Sequence, residues 1–326
     1  MRLIDLHCDT IWKLLDLDKC GNLMDNSCAV SIPGMKKAGT AAQFFACFTY
    51  IEDYKEHGGY EDAWKHCLEM IAFLKKQEEM FSEEIALARS YQEFKENEKD
   101  GKISAFLTVE EGGILNGRME RLEELYQRGV RLMTPMWNYE NCFGHPNSRE
   151  TAVMEKGLKP FGIEAVKRMA ELGMIVDVSH ASDGTFADIL AHTKKADGSR
   201  GVVAASHSNC RALCDHPRNL TDRMLRELAE AGGVCGLNLY GYFLNPNGES
   251  DVQDMAEHLL HMIHIGGSDL PAVGTDFDGF DGIEILEIQQ VGEMEKLWEA
   301  LKKKGVTETL LDKIRYGNAE RILREL

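Results

Sequence analysis

The chain has 326 residues, 44% of them hydrophobic and 28% charged, which is typical of a globular protein and argues against a disordered or fibrous one. Its formal net charge of −17 opposes the binding of phosphate backbones, so we expect no nucleic-acid partner. No apolar run reaches about 18 residues, which argues against a membrane-spanning helix.

The nine cysteines are an odd number without regular spacing, a pattern unlike a disulfide framework. The first residues show no basic segment followed by an apolar stretch, so no signal peptide is predicted. Together these features predict a cytoplasmic protein with reduced thiols.

Strand-like and helix-like segments alternate along the chain, beginning with a strand over 3–10 and a short helix over 10–17. Eight apolar segments are predicted to be strands: 3–10, 41–50, 104–110, 130–137, 174–178, 202–206, 234–240 and 271–275. This alternation predicts parallel βα units, and the count favours an α/β (β/α)8 TIM barrel. We expect one domain over 1–326 with a helical insertion at about 51–100. No glycine-rich nucleotide-binding motif follows a strand.

Residue types that bind metals or move protons lie where these strands end, the end at which TIM barrels carry their active sites. They are His7, Asp9, Glu111, His180, His207 and Asp276. Each alone is more often a structural residue, but so many buried carboxylates and imidazoles at one rim require cations between them. Three imidazoles with two or three carboxylates suffice for two metal ions that share one carboxylate. Zinc suits this mixed set best, and manganese, cobalt or iron are also compatible.

Six motifs in order along the chain carry a more specific resemblance: LIDLHCDT, VEEGG, GLKPFG, VDVSHAS, SHSNCRALCDHPRN and GTDFDG. With them the chain resembles the membrane (renal) dipeptidases, peptidase family M19 of the amidohydrolase superfamily. The resemblance implies two Zn²⁺ per chain. One would be held by His7, Asp9 and Glu111, the other by Glu111, His180 and His207. Glu110 is the rival for the bridging role, but the family's Glu directly precedes the glycine pair, which favours Glu111.

The same resemblance implies roles for four further residues. Asp276 would be the catalytic acid/base residue, and Arg218 would hold the terminal carboxylate of the substrate. From the residues alone, Arg218 is more simply a surface ion pair. Trp137 stands where mammalian relatives have a histidine that helps bind the scissile carbonyl oxygen, and this departure indicates the bacterial-type branch. Trp137 and Tyr240 are further candidates for substrate contacts.

The expected function is therefore that of a zinc-dependent dipeptidase. It would hydrolyse dipeptides, including L,D-dipeptides, by a metal-bridging hydroxide. The expected partner is a small dipeptide, and relatives suggest a homodimer. An alternative is another amidohydrolase activity on a lactone, a deaminase substrate or a phosphoester, for which a carboxylate anchor at Arg218 would be unnecessary. A non-catalytic binding protein on the same barrel is a weaker alternative, because the predicted ligands and Asp276 are all present.

Overall fold

The computed structural model describes residues 2–16, 21–56, 58–248 and 251–326, and its strands form one parallel sheet. The strands are β1 (Leu3–Cys8), β2 (Thr40–Phe48), β3 (Ile85–Leu87), β4 (Ile103–Glu110), β5 (Val130–Thr134), β6 (Ile175–Asp177), β7 (Val203–Ala205), β8 (Val234–Leu237) and β9 (Pro271–Val273). They are ordered β2-β1-β9-β8-β7-β6-β5-β4, and β2 also pairs with β4. This pairing closes eight strands into a barrel, which confirms the predicted (β/α)8 fold.

Helices surround the barrel. They are α1 (Thr10–Asp16), α2 (Ile32–Ala38), α3 (Gly59–Met80), α4 (Tyr91–Lys99), α5 (Met119–Arg128), α6 (Thr151–Met154), α7 (Pro160–Leu172), α8 (Asp183–His192), α9 (Asp222–Glu230), α10 (Gly241–Leu244), α11 (Val252–Gly266), α12 (Glu295–Lys303), α13 (Glu308–Asp312) and α14 (Asn318–Leu323). Short 3-10 turns occur at Ile51–Tyr54, Gly112–Leu115, Ile283–Ile285 and Val291–Glu293. Among the described residues, none of these helices combines the length and apolar character that crossing a membrane requires.

Helix boundaries follow from local capping chemistry. The Ser90 and Thr221 side chains accept hydrogen bonds from the backbone N–H three residues later, which satisfies a free donor in the first turn of α4 and of α9. Gly129 and Gly173 end α5 and α7 in the left-handed conformation that glycine adopts at little cost.

Three details differ from the sequence prediction. The strand β3 was not predicted because three residues are too few to show periodicity; it pairs with the start of β4. The fourth predicted strand ends at Thr134, because Pro135 has no N–H to donate to a neighbouring strand. The sequence predicts one helix over 307–326, but in the structure this segment is divided by a π-helical turn at Lys313–Gly317. Leu17, the predicted end of α1, lies outside the described residues.

The core has two layers because side chains alternate along each strand. One cluster takes a residue from each barrel strand and fills the interior: Ile4, Phe44, Phe106, Leu132, Ile175, Ala204, Val234 and Ala272. Many of the neighbouring strand residues, such as Phe45 and Leu107, join a second cluster with the helices. Since all the barrel strands are parallel, their carboxyl ends meet at one rim, and the polar residues predicted for the site follow there.

Candidate metal centre and active site

The centre of the rim is the carboxylate of Glu110, the last residue of β4. Its Oε2 lies 3.1 Å from Nε2 of His7. Its Oε1 lies 2.9 Å from Nε2 of His180 and 3.6 Å from Nε2 of His207. All four side chains are buried. Two donor atoms on one tetrahedral zinc ion are expected about 3.3 Å apart, given bond lengths of about 2.0–2.1 Å, so these separations suit shared ligation.

Two further carboxylates border the His7 side of this cluster. Asp9 Oδ2 lies 3.1 Å from His7 Nε2, and Asp276 Oδ1 lies 3.8 Å from the same nitrogen. The predicted pairing of His7 with Asp9 is therefore present. Two overlapping groups have the proximity that a metal ion requires: His7 with Glu110 and His207, and His7 with Asp9 and Asp276.

In His180 and His207, a hydrogen bond at Nδ1 fixes how the imidazole ring faces this cluster. Nδ1 of His180 lies 2.8 Å from the amide oxygen of Asn138, which can only accept, so the ring proton is on Nδ1. Ser206 donates its single hydroxyl proton to Asp177 at 2.6 Å and therefore accepts from Nδ1 of His207 at 2.7 Å. Both rings consequently present an unprotonated Nε2 to Glu110. Outer partners of this kind are typical of metal-binding histidines.

This arrangement fits a divalent cation and little else. The two Nε2 atoms lie 3.1 Å apart with no proton to share, and Glu110 Oε1 faces both of them. Oε1 of Glu110 and Oδ1 of Asp9 are buried without a hydrogen-bond donor among the described residues. Buried acceptors without a donor are costly, and a cation between them removes that cost.

The electrostatics of His180 support the same interpretation, whereas the carboxylates of Asp9 and Glu110 raise the pKa of His7 against the effect of burial. Burial lowers the pKa of His180 to about 4, with the nearby Arg218 charge adding to the effect, so the imidazole is neutral and free to ligate. Burial raises the pKa of Asp9 to about 6 and that of Asp276 to about 7, although His7 opposes both shifts. A bound cation favours the charged carboxylates and would lower these two pKa values.

The structure corrects the sequence prediction for Glu111. Its backbone has φ 89° and its side chain turns away from the imidazoles. The carboxylate accepts hydrogen bonds from the backbone N–H of Gly113 at 2.6 Å, from that of Trp137 at 2.8 Å, and from the Asn141 amide. The rival residue Glu110 occupies the position expected of a bridging ligand. Counting back from the glycine pair therefore favoured the glutamate whose carboxylate lies away from the imidazoles.

Arg218 is buried, contrary to the surface ion pair that its sequence context alone suggested. Its Nη1 donates to Ser208 Oγ at 3.3 Å and its Nη2 to the His207 carbonyl at 3.2 Å. Among the described residues, its Nε has no hydrogen-bond partner and no carboxylate lies within ion-pair distance of the guanidinium. Burial lowers the pKa of Arg218. A buried guanidinium without a counterion is a candidate receptor for an anionic ligand group.

A cavity of about 440 Å³ opens over the cluster. Polar and charged lining comes from Asp9, Glu110, Asn138, His180 and Asp276, with Asp53 and Asp281. Aromatic lining comes from Trp12, Phe48, Tyr50, Trp137, Tyr240, Phe243 and Phe280. The predicted candidates Trp137 and Tyr240 thus both border the cavity. Arg218 lies beside it, with its guanidinium carbon 5.3 Å from the centre of the Phe243 ring.

The residues that orient the predicted ones were not themselves predicted from the sequence. Asn238 donates to Asp276 Oδ2 at 2.8 Å, Asn138 fixes His180, and Ser206 with Asp177 fixes His207. A signal was present, because Asn238 directly follows β8 and Ser206 directly follows β7. Asparagine and serine are too common in such positions for that signal to be specific.

Comparisons with known proteins identify the family of this chain. The family model for membrane dipeptidase (peptidase family M19) matches residues 1–326. An uncharacterised Klebsiella pneumoniae protein from the region 5′ of pqqA is 33% identical over 239 residues, covering 70% of this chain and 84% of that protein.

Two solved structures resemble the whole chain. One is a dipeptidase of family M19, with 26% identity and a TM-score of 0.86; the match covers 100% of this chain and 98% of that one. The other is a metallopeptidase from Rhodobacter sphaeroides bound to a phosphinate mimic of L-Ala-D-Ala, with 25% identity and a TM-score of 0.86; the match covers 100% and 99%. The chain therefore belongs to peptidase family M19, the membrane dipeptidases, and is a hydrolase of the metallo-dipeptidase type.

Proposed function

We propose that this enzyme hydrolyses dipeptides, including L,D-dipeptides, at a binuclear zinc site bridged by Glu110. The observation that carries the proposal is the division of the Glu110 carboxylate, with one oxygen facing His7 and the other facing His180 and His207. His7, Asp9 and Glu110 would hold one ion, and Glu110, His180 and His207 the other. Bound ions of this kind would supply Lewis acidity and lower the pKa of a water molecule.

Asp276 is suited to move the proton in this reaction. Asn238 donates to its Oδ2, which holds the carboxylate while Oδ1 faces the cluster. The carboxylate would accept a proton from the attacking water and pass it to the amine of the leaving residue, as a general base and then a general acid. Its backbone has φ 61°, a conformation that non-glycine residues seldom adopt and that is typical of functional positions.

Arg218 would bind the C-terminal carboxylate of the dipeptide. Its burial excludes competing water, and the free Nε leaves the guanidinium with unused donor capacity. A receptor for a terminal carboxylate at fixed distance from the reacting centre favours dipeptides over longer peptides. It also favours a dipeptide over a neutral lactone, which has no such group.

The L,D preference draws on the Rhodobacter sphaeroides relative, whose bound inhibitor mimics L-Ala-D-Ala. A test is a library of dipeptides with both stereoisomers at each position, assayed with purified zinc-loaded protein. We expect hydrolysis of L,L- or L,D-dipeptides and much slower hydrolysis of the C-terminally amidated forms. Turnover of a lactone or phosphoester with no dipeptide hydrolysis would contradict the proposal.

Replacing Arg218 by Lys is expected to lower kcat/KM by about tenfold or more, because an ammonium group cannot make the planar two-point contact with a carboxylate. Steady-state kinetics on a free-acid dipeptide and on its C-terminal amide measure the effect. The amide, already a poor substrate, should lose little further. Equal losses on both substrates would show that Arg218 has another role.

Replacing Ser206 by Ala is expected to weaken zinc binding by about 10–100-fold, because Nδ1 of His207 loses the acceptor that fixes its tautomer. Competition with a chelating dye measures the affinity, and Ser199→Ala in an exposed turn is the control. Unchanged zinc affinity in the Ser206 variant would argue against His207 as a ligand.

A further inference from the structure

Glu111 is an unusual residue to find outside the cluster. It is fully buried, non-glycine and at φ 89°, yet its carboxylate contacts no imidazole among the described residues. Three N–H donors converge on it instead, and two of them belong to the segment that follows β5. Here that segment, residues 135–147, is called the β5 loop. A strained backbone with a fully used carboxylate indicates a position maintained for a purpose.

The glycine pair after Glu111 belongs to the same arrangement. A Cβ at Gly112 would lie 2.7 Å from the Pro135 carbonyl oxygen, and a Cβ at Gly113 would overlap the Glu111 carboxylate. Only glycine permits the turn after β4 to approach the β5 loop this closely. In the motif VEEGG, the first glutamate therefore faces the cluster, whereas the last three residues fit against the loop.

The β5 loop in turn contacts His180 at three points. The Asn138 amide oxygen accepts from Nδ1 of His180 at 2.8 Å. The backbone N–H of Asn147 donates to the His180 carbonyl at 2.7 Å. The Trp137 ring borders the cavity, with its centre 6.1 Å from that of the His180 ring and 5.1 Å from that of Phe48.

These contacts form a continuous connection from Glu111 to the cluster. Glu111 accepts from the backbone N–H of Trp137, and the next residue, Asn138, sets the tautomer and direction of His180. Asn141 reinforces the link, since its amide donates to Glu111 and also to the Pro135 carbonyl at 2.8 Å. Partners of this kind determine how well a ligand side chain is oriented for its metal.

We propose that Glu111 is a positioning residue that fixes the β5 loop, so that Asn138 orients His180 as a ligand and Trp137 borders the substrate cavity. It acts through the loop and touches neither metal nor substrate. The proposal rests on the proposed function in one respect, the assignment of His180 as a metal ligand.

The test is a double-mutant cycle of Glu111→Gln and Asn138→Ala in the full chain, read out as zinc affinity by chelator competition. Glutamine keeps the shape of the glutamate side chain, and its amide oxygen can still accept hydrogen bonds from two of the three donors. Its amide nitrogen cannot accept one from the Trp137 N–H. Each single variant should weaken the binding of one zinc ion by about tenfold and leave the other near wild type. The double variant should lose little more than either single variant, because both act through the same loop.

A purely structural role would lower the thermal midpoint without changing the affinity for one ion selectively. Unchanged zinc affinity in Glu111→Gln, or fully additive losses in the double variant, would overturn the proposal. If Glu111→Gln does not fold, Asn141→Ser removes one donor, keeps the carboxylate and should show the same selective loss in milder form. Glu120→Gln, at an exposed position of α5, is the matched control. Wild-type zinc content and dipeptide turnover, measured alongside, report separately on the proposed function.

Discussion

Replacing Asp276 by Asn is expected to lower kcat by about 10²–10⁴-fold while the metal content stays near that of the wild type. The amide retains the shape of the carboxylate but cannot accept the proton of the attacking water. Steady-state kinetics on an L,D-dipeptide, together with elemental analysis of the same sample, measure both quantities.

Asn238→Ala is an informative companion variant, because it removes the donor to Asp276 Oδ2 and keeps the carboxylate. We expect a smaller loss of kcat than in Asp276→Asn, since proton transfer remains available. If Asp276→Asn retains the wild-type rate, another group moves the proton. If it loses its metal instead, Asp276 is a ligand rather than the proton-transfer residue.

Replacing Glu110 by Gln is expected to weaken zinc binding by more than about 100-fold for at least one ion and to abolish most turnover. A neutral amide offers one oxygen acceptor where the carboxylate offers two, and it leaves the three imidazoles without the shared anion. Chelator competition and elemental analysis measure the loss.

The neighbouring substitution Glu111→Gln provides the contrast. It makes the same chemical change one residue away, but the carboxylate of Glu111 faces the β5 loop and not the imidazoles. We therefore expect the Glu110 variant to lose far more metal than the Glu111 variant. The reverse order would restore Glu111 as the bridging ligand and contradict the geometry of the rim.

The sequence was sufficient to predict the barrel, because alternation of strand and helix is a signal repeated over the whole chain. It also placed His7, Asp9, His180, His207 and Asp276 at the rim, since each lies at or just beyond the carboxyl end of a predicted strand, where TIM barrels carry their active sites. Local pattern could not distinguish Glu110 from Glu111. That choice depends on the positive φ of Glu111, which turns two adjacent carboxylates in opposite directions.

Contacts between segments that are distant in the chain could not be predicted from the sequence either. Nothing near Arg218 in the chain shows that its guanidinium is buried beside Phe243 with no counterion among the described residues. The link from Glu111 through Asn138 to His180 joins three segments that meet only after the barrel closes. Such partners follow from the three-dimensional arrangement, not from spacing along the chain.

The most direct test of the proposed binuclear site is anomalous X-ray diffraction at the zinc edge on crystals of the zinc-loaded protein. A binuclear site predicts two anomalous peaks about 3.5–4 Å apart, with one oxygen of the Glu110 carboxylate on each. It further predicts His7 and Asp9 on one ion and His180 and His207 on the other. A single peak, or a peak bound by Glu111 with Glu110 free, would contradict the binuclear site proposed for this enzyme.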